Sequence, residues 1–169
     1  MWDVVFIGGS PVFEKDTYLN LDALIAFFHK AYSTSNAMVL AMPGKGSQYL
    51  LGLRDADGSF LMGENTYHLH LPPNIPAANY SSVVLYNADT RALLNNGEPF
   101  PSIASNQKVT VNKDGSVDMY FGPTAPKGEN ANWIKTVSGR GYFAGMRLYG
   151  PTQAFFDKVW KPDDIVKVK

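Results

Sequence analysis

A chain of 169 residues with 45% hydrophobic and 18% charged residues has the makeup of one globular domain rather than of a disordered segment. Its fifteen Lys and Arg residues balance fifteen Asp and Glu with no long run of either sign, which excludes the basic footprint of a nucleic-acid or anionic-membrane binder. Cysteine is absent, so disulfides, cysteine-ligated zinc and thiol catalysis are excluded too.

The opening "MWDVVFIGGS" predicts a strand over Trp2–Ile7 ended by Gly8-Gly9. It has no basic region and too short an apolar run for a signal peptide, and no later stretch reaches the roughly eighteen apolar residues of a membrane span. A helix is expected over Leu21–Ser33, where Leu21, Leu24, Ile25 and Phe28 share one face and Asn20 stands at the N-cap. After the loop "AMPGKGSQ" the period changes to two. Tyr49, Leu51 and Leu53 share a face in "QYLLGL". In "TYHLHLP", Tyr67, Leu69 and Leu71 share one face, and Thr66, His68 and His70 the other. Further strands are expected at Ser82–Tyr86, Lys108–Asn112, Ser116–Phe121, Gly141–Tyr149 and Asp164–Val168. A short helix is expected in "PTQAFFDKVW", with Pro151 near its first turn. Short strands between Gly, Pro and Asn loops predict a mainly β fold, an antiparallel β-sandwich or jelly roll. Residues 1–37 form an N-terminal strand and helix, in the manner of a remnant of a preceding domain, and residues 38–169 form the β domain.

"DADGS" (Asp55–Ser59) and "NKDGS" (Asn112–Ser116) each put Asp-Gly between strand-like flanks, as tight turns require. Their acidic residues imitate part of a calcium loop, but its twelfth position falls on Thr66 or Pro123, where a bidentate Glu is needed. Hairpin turns account for both. "PGKGS" has the wrong glycine spacing for a phosphate-binding loop, and no Gly-x-Ser-x-Gly elbow occurs. Gly8-Gly9-Ser10 runs into Pro11 without a helix, so it is no dinucleotide fingerprint. Asn79-Tyr80-Ser81 matches the glycosylation pattern only formally.

Two features carry candidate chemistry. His68 and His70 aim both imidazoles at one strand face, as metal-binding jelly rolls do, with Glu64 the nearest further ligand. Two solvated histidines on a polar face explain the pattern without a metal, and neither a metal nor a cofactor is expected. In "GYFAGMRLYGP", Tyr142, Ala144, Met146 and Leu148 form a core-like face, while Phe143, Gly145, Arg147 and Tyr149 share the other. An arginine flanked by aromatics beside a glycine gap suits a carboxylate or a flat ligand. The alternative is a structural arginine paired with an acid of a neighbouring strand, with Asp118 the candidate.

"YNADTRALL", "VNKDGSVDMYFGPTAPKGENANWIKTVSGRGYFAGMRLYGP" and "FFDKVWKPDDI" together resemble the bacterial family known as domain of unknown function 1214, and "GKGSQYLLGLRDADGSFLMGENTYHLHLPPNIPA" resembles the segment before it. The likeness spans nearly everything after Met38. It implies mainly β structure of sandwich type, often in exported bacterial proteins, the periplasm being one location open to them, beside a partner domain of unknown function 1254; the compartment of this chain is left open. It implies no established activity. Thr90-Arg91, Asp114-Gly115-Ser116, Gly122-Pro123, Asn132-Trp133, Arg147, Tyr149 and Trp160 match the family pattern. Ser81 stands where the family has Trp, Asn87 where it has Asp, and His68 and His70 where it does not call for histidine.

The expected function is a non-catalytic ligand-binding or interaction module for a small anionic or sugar-like ligand, with Arg147, Tyr149, Arg91, Asn132 and Trp133 around a polar-aromatic cleft. Two other classes stand beside it. One is a hydrolase of a small ester or glycan, using a metal at His68 and His70 or a carboxylate pair. The other is a structural domain that self-associates or packs on the missing N-terminal partner.

Overall fold

The computed structural model describes residues 2–4, 14–15, 18–22, 24–25, 41–127 and 132–168. Its strands, in chain order, are β1 (Trp2–Val4), β2 (Glu14–Lys15), β3 (Tyr18–Leu19), β4 (Ser47–Gly52), β5 (Tyr67–Leu71), β6 (Ala77–Asn87), β7 (Ser102–Ala104), β8 (Val117–Gly122), β9 (Asn132–Lys135), β10 (Tyr142–Pro151) and β11 (Val166–Lys167). One short helix, α1 (Gln153–Phe156), follows β10. A five-stranded sheet has the order β1-β4-β10-β6-β7, a four-stranded sheet β11-β5-β8-β9, and β2 and β3 pair separately. All pairings are antiparallel except β8 with β9, which is parallel, so the second sheet is mixed where a purely antiparallel one is expected.

Period-two alternation decides what goes inside. Tyr67, Leu69 and Leu71 of β5 meet Val117, Met119 and Phe121 of β8 in one core cluster. Tyr142, Ala144, Met146 and Leu148 of β10 join them, with Val83 and Leu85 of β6 and Leu50 of β4. Both sheets therefore feed a single core, and the rings of Tyr67 and Tyr142 meet edge to face across it at 6.3 Å. In β4 the buried partner is Leu50, so the face of Tyr49 and Leu51 is the half-buried outer one.

Both Asp-Gly turns form as expected. Gly58 and Gly115 have φ of +83° and +88°, the left-handed region a side chain disfavours. Asp55 Oδ1 accepts the Asp57 and Ser59 amides, and Asp114 Oδ1 accepts both the amide and the hydroxyl of Ser116.

The other differences have local causes. Lys108–Asn112 is no strand: the Thr110 amide and carbonyl are satisfied by the Asn132 side chain instead of a ladder. Pro151 ends β10, and Thr152 takes the N-cap position of α1. The last expected strand shortens to β11: the carbonyl of the fully buried Ile165 accepts the Ala56 amide outside the ladder, and only Val166 and Lys167 pair with β5. Of the helix expected over Leu21–Ser33, Leu21, Asp22, Leu24 and Ile25 have helical backbone; the rest lies outside the described residues, as do positions 5–7 of the first strand.

Candidate functional site

β10 is the central strand of the five-stranded sheet, so Gly145, Arg147 and Tyr149 on its outer face have a partner residue on both sides. Arg147 stands opposite Tyr49 of β4 and Ser82 of β6, and Tyr149 stands opposite Ser47 and Tyr80. One Arg147 terminal nitrogen donates to the Tyr149 hydroxyl at 2.6 Å, and the guanidinium carbon lies 5.8 Å and 5.5 Å from the Tyr49 and Tyr149 ring centres. The Ser47 hydroxyl donates to that of Tyr49 at 3.1 Å, and Tyr80 packs edge to face on Tyr149. Burial, with the neighbouring Tyr49 next, pushes the Tyr149 hydroxyl up, although Arg147 works the other way.

The expected pairing of Arg147 with Asp118 does not occur. Asp118 lies on β8, in the other sheet, and no carboxylate of the described residues pairs with Arg147. The Nε of Arg147 and the Oγ of Ser82, on residues directly opposite each other, are both buried without a hydrogen-bond partner among the described residues. Buried donors and hydroxyls are normally satisfied, so the pair marks a polar spot on this face that the described side chains leave unpartnered.

The glycine gap beside Arg147 is filled. A Cβ on Gly145 would come within 2.9 Å of the Tyr86 ring, which lies across that position and stacks on Phe143 at 5.2 Å and 14°. Arg91 caps the stack, its guanidinium carbon 5.7 Å from the Phe143 ring centre. Its φ of +62° arises in a tight turn in which its amide bonds to the Asn87 carbonyl, while Asn87 Oδ1 accepts the Asp89 and Thr90 amides. The outer face thus runs from Arg91 through Phe143 and Tyr86 to Arg147 and Tyr149.

Asn132 and Trp133 do not join this face. They lie on β9 in the four-stranded sheet, and their polar atoms are engaged in structure. The Asn132 amide donates to the Thr110 and Asp118 carbonyls and its oxygen accepts the Thr110 amide, while Trp133 Nε1 donates to the Gly122 carbonyl at 3.0 Å. Tyr49, Ser82 and Tyr86 belong to the outer face instead. The cross-strand register that brings them there is not written in any local motif.

A second polar cluster sits on the solvent side of the four-stranded sheet. His68 Nε2 and His70 Nδ1 both contact Asp118 Oδ1, at 2.7 and 2.8 Å, and Asn112 donates to the other Asp118 oxygen at 2.7 Å. Burial opposes charge on Asp118, but the hydrogen bonds from His70, Asn112 and His68 hold its pKa down at about 2. The same contact with Asp118 raises His70 above its ordinary value. Both histidines therefore spend a ring nitrogen on Asp118, and Glu64, the further ligand envisaged, accepts the Gly139 amide elsewhere. Among the described residues no group of three or more side chains is arranged to hold a metal ion.

A mainly β domain with a buried, unpartnered arginine nitrogen on its five-stranded sheet is what fold and geometry define. The chain belongs to the family described as protein of unknown function, DUF1214, whose sequence model matches residues 46–153. Among solved structures it is similar to the VPA0106 protein of Vibrio parahaemolyticus, at 22% identity and a TM-score of 0.65 over 89% of this chain and 37% of that one. It is also similar to an uncharacterised protein of Burkholderia cenocepacia, at 12% identity and a TM-score of 0.47 over 78% of this chain and 31% of that one. The chain thus spans about a third of the length of either. No curated protein matches it.

Proposed function

We infer that this domain is a non-catalytic binding module, built as a β-sandwich of jelly-roll type, that takes a small anionic or sugar-like ligand on the outer face of its five-stranded sheet. Arg147 is the anion anchor, Ser82 supplies the facing hydroxyl, and Tyr49 and Tyr149 are the flat walls. The carrying observation is the pair of buried, unpartnered polar atoms on Arg147 and Ser82, on a strand pair where no acid of the described residues neutralises the guanidinium. A carboxylate bound there accepts from Nε and from the serine hydroxyl together. The aromatic stack under Arg91 continues the surface for the rest of a sugar-sized ligand. The domain is further proposed to work beside a second one, of the kind that the 1254 family represents; the greater length of the Vibrio chain supports this.

Titration of the purified protein with acetate, citrate and glucuronate, followed by amide and Arg side-chain NMR, tests the reading. Saturable shifts at Arg147, Ser82 and Tyr149 are expected, and Arg147→Lys is expected to weaken binding about tenfold, roughly 1.4 kcal/mol, because it loses the planar fork. If none of the three gives a saturable shift at these residues, the reading fails.

A further inference from the structure

Between the two sheets, at the end where β6 begins, lies a cavity of about 490 Å³. Its depth is core: Leu71, Val83, Ile103, Val117, Met119 and Met146 line it, from β5, β6, β7, β8 and β10. Its rim is uncharged and carries Asn79, Ser81 and Ser105 beside the exposed Val111. No Asp, Glu, Lys, Arg or His is among the lining residues. Ser81 alternates with Val83 along β6 and stands opposite Leu148, so it lies on the inward-facing side of the sheet and puts a hydroxyl where β6 otherwise supplies apolar packing. Ser105 lies directly beside it, following β7, its hydroxyl accepting the Ser81 amide at 3.1 Å and its own amide bonding to the Ser81 carbonyl.

The space opens to solvent past the exposed Asn79, Ser105 and Val111 and is apolar at its base, where water finds few hydrogen-bonding partners. The volume falls in the range of small-molecule sites, about 300–1,000 Å³, and an apolar interior with a few rim hydroxyls is how such sites are lined. We propose that this cavity binds an uncharged, mainly apolar small molecule carrying one hydroxyl or carbonyl end, such as a medium-length alkyl alcohol. The apolar body lies against Val83, Val117 and the two methionines, whose thioethers adapt to its shape, and the polar end meets Ser81 and Ser105. A small molecule rather than a protein segment is the occupant, because the space is walled by both sheets and closes on the core. The cavity lies inward of β6 and Arg147 stands on the outer face; Tyr80 and Ser82 border both, and Arg147→Lys, which leaves the cavity lining unchanged, keeps the two titrations distinguishable.

The test uses N-phenyl-1-naphthylamine, an uncharged dye that fluoresces in apolar surroundings, followed by competition with 1-octanol and 1-decanol. One equivalent of dye is expected to bind saturably and to be displaced by the alcohols. Ser81→Trp, which fills the mouth from β6, and Val109→Phe, which fills it from the irregular segment on the opposite wall, are each expected to lower dye affinity at least tenfold. Circular dichroism and a cooperative melt identify which variant has kept its fold, and either one suffices. Absence of saturable uptake by the unmodified protein overturns the proposal. So does uptake that a folded filling variant leaves unchanged, or uptake lost on dilution together with a dimer.

Discussion

Tyr142 carries its hydroxyl into the core without a hydrogen-bond partner among the described residues, and burial drives its ionisation far above the usual tyrosine range. Tyr67, its neighbour, shows the contrast: that hydroxyl accepts the Met62 amide and the Asn65 side chain. Removing an unsatisfied buried hydroxyl while keeping the ring is stabilising, so Tyr142→Phe is expected to raise stability by about 1 kcal/mol. A melt should show this as a gain of roughly 2–4 °C.

The Asp118 cluster makes a pH-dependent prediction of both signs. Asp118 falls from an ordinary 3.8 to about 2 in the folded chain, so its contribution is present above pH 3.8 and lost as the pH falls through about 2. His70 is raised above its ordinary 6.5, so its contribution is full below pH 6.5 and lost as the pH rises through the folded value. Both operate together between about pH 4 and 6.5, although half-exposed groups are screened by water. Asp118→Asn should flatten both limbs of a melting-temperature profile against pH; an unchanged profile would contradict the assignment. In the sequence, Ser116, Asp118 and Tyr120 are legible as a polar face by alternation alone. That Asp118 meets His70 and not Arg147 is not, because it depends on the register between two strands 48 residues apart in the chain.

At the scale of elements, alternation places the core sides of β5, β8 and β10 from sequence, since each has one apolar and one polar face. It misplaces Lys108–Asn112, whose Val109 and Val111 alternate like a strand but whose backbone is met by the side chain of Asn132. The family pattern marks Asn132, Trp133, Gly122 and Trp160, and all four have structural work. Trp160 Nε1 donates to the carbonyls of Pro72 and Pro73, and a Cβ on Gly122 would meet Thr66 at 2.8 Å. Polar and aromatic residue types alone did not separate these from Arg147. Ser81, where the resembled family carries Trp, falls at the rim of the inter-sheet cavity. Close backbone approaches leave an equally sharp prediction. A Cβ on Gly63 would lie 1.9 Å from the Val137 carbonyl oxygen, in the corner that Thr136 ties down by donating to the Gly63 carbonyl at 2.6 Å. Gly63→Ala is expected to cost more than about 3 kcal/mol, measured by denaturant unfolding, because backbone rather than a movable side chain is in the way.

The whole molecule is organised around β10, which is paired along both edges, with β4 on one side and β6 on the other. Its amides should be the slowest to exchange with solvent, and those of β11 and α1, short and at the periphery, among the fastest. Hydrogen-exchange mass spectrometry that ranked β11 with β10 would contradict this. Fold class was legible because so many short strands are written locally. Sheet membership was not, because β4 reaches its partner β10 from about a hundred residues away, and no local pattern encodes such a pairing.

That arrangement has a consequence for the chain as it is made. During synthesis β4 and β6 leave the ribosome well before β10, and each waits with an open hydrogen-bonding edge until the strand between them arrives. Pairings across such separations are slow to form, and unpaired edges invite association with other chains. The newborn protein is therefore most vulnerable in the interval before Pro151 emerges, which is where a chaperone would find it.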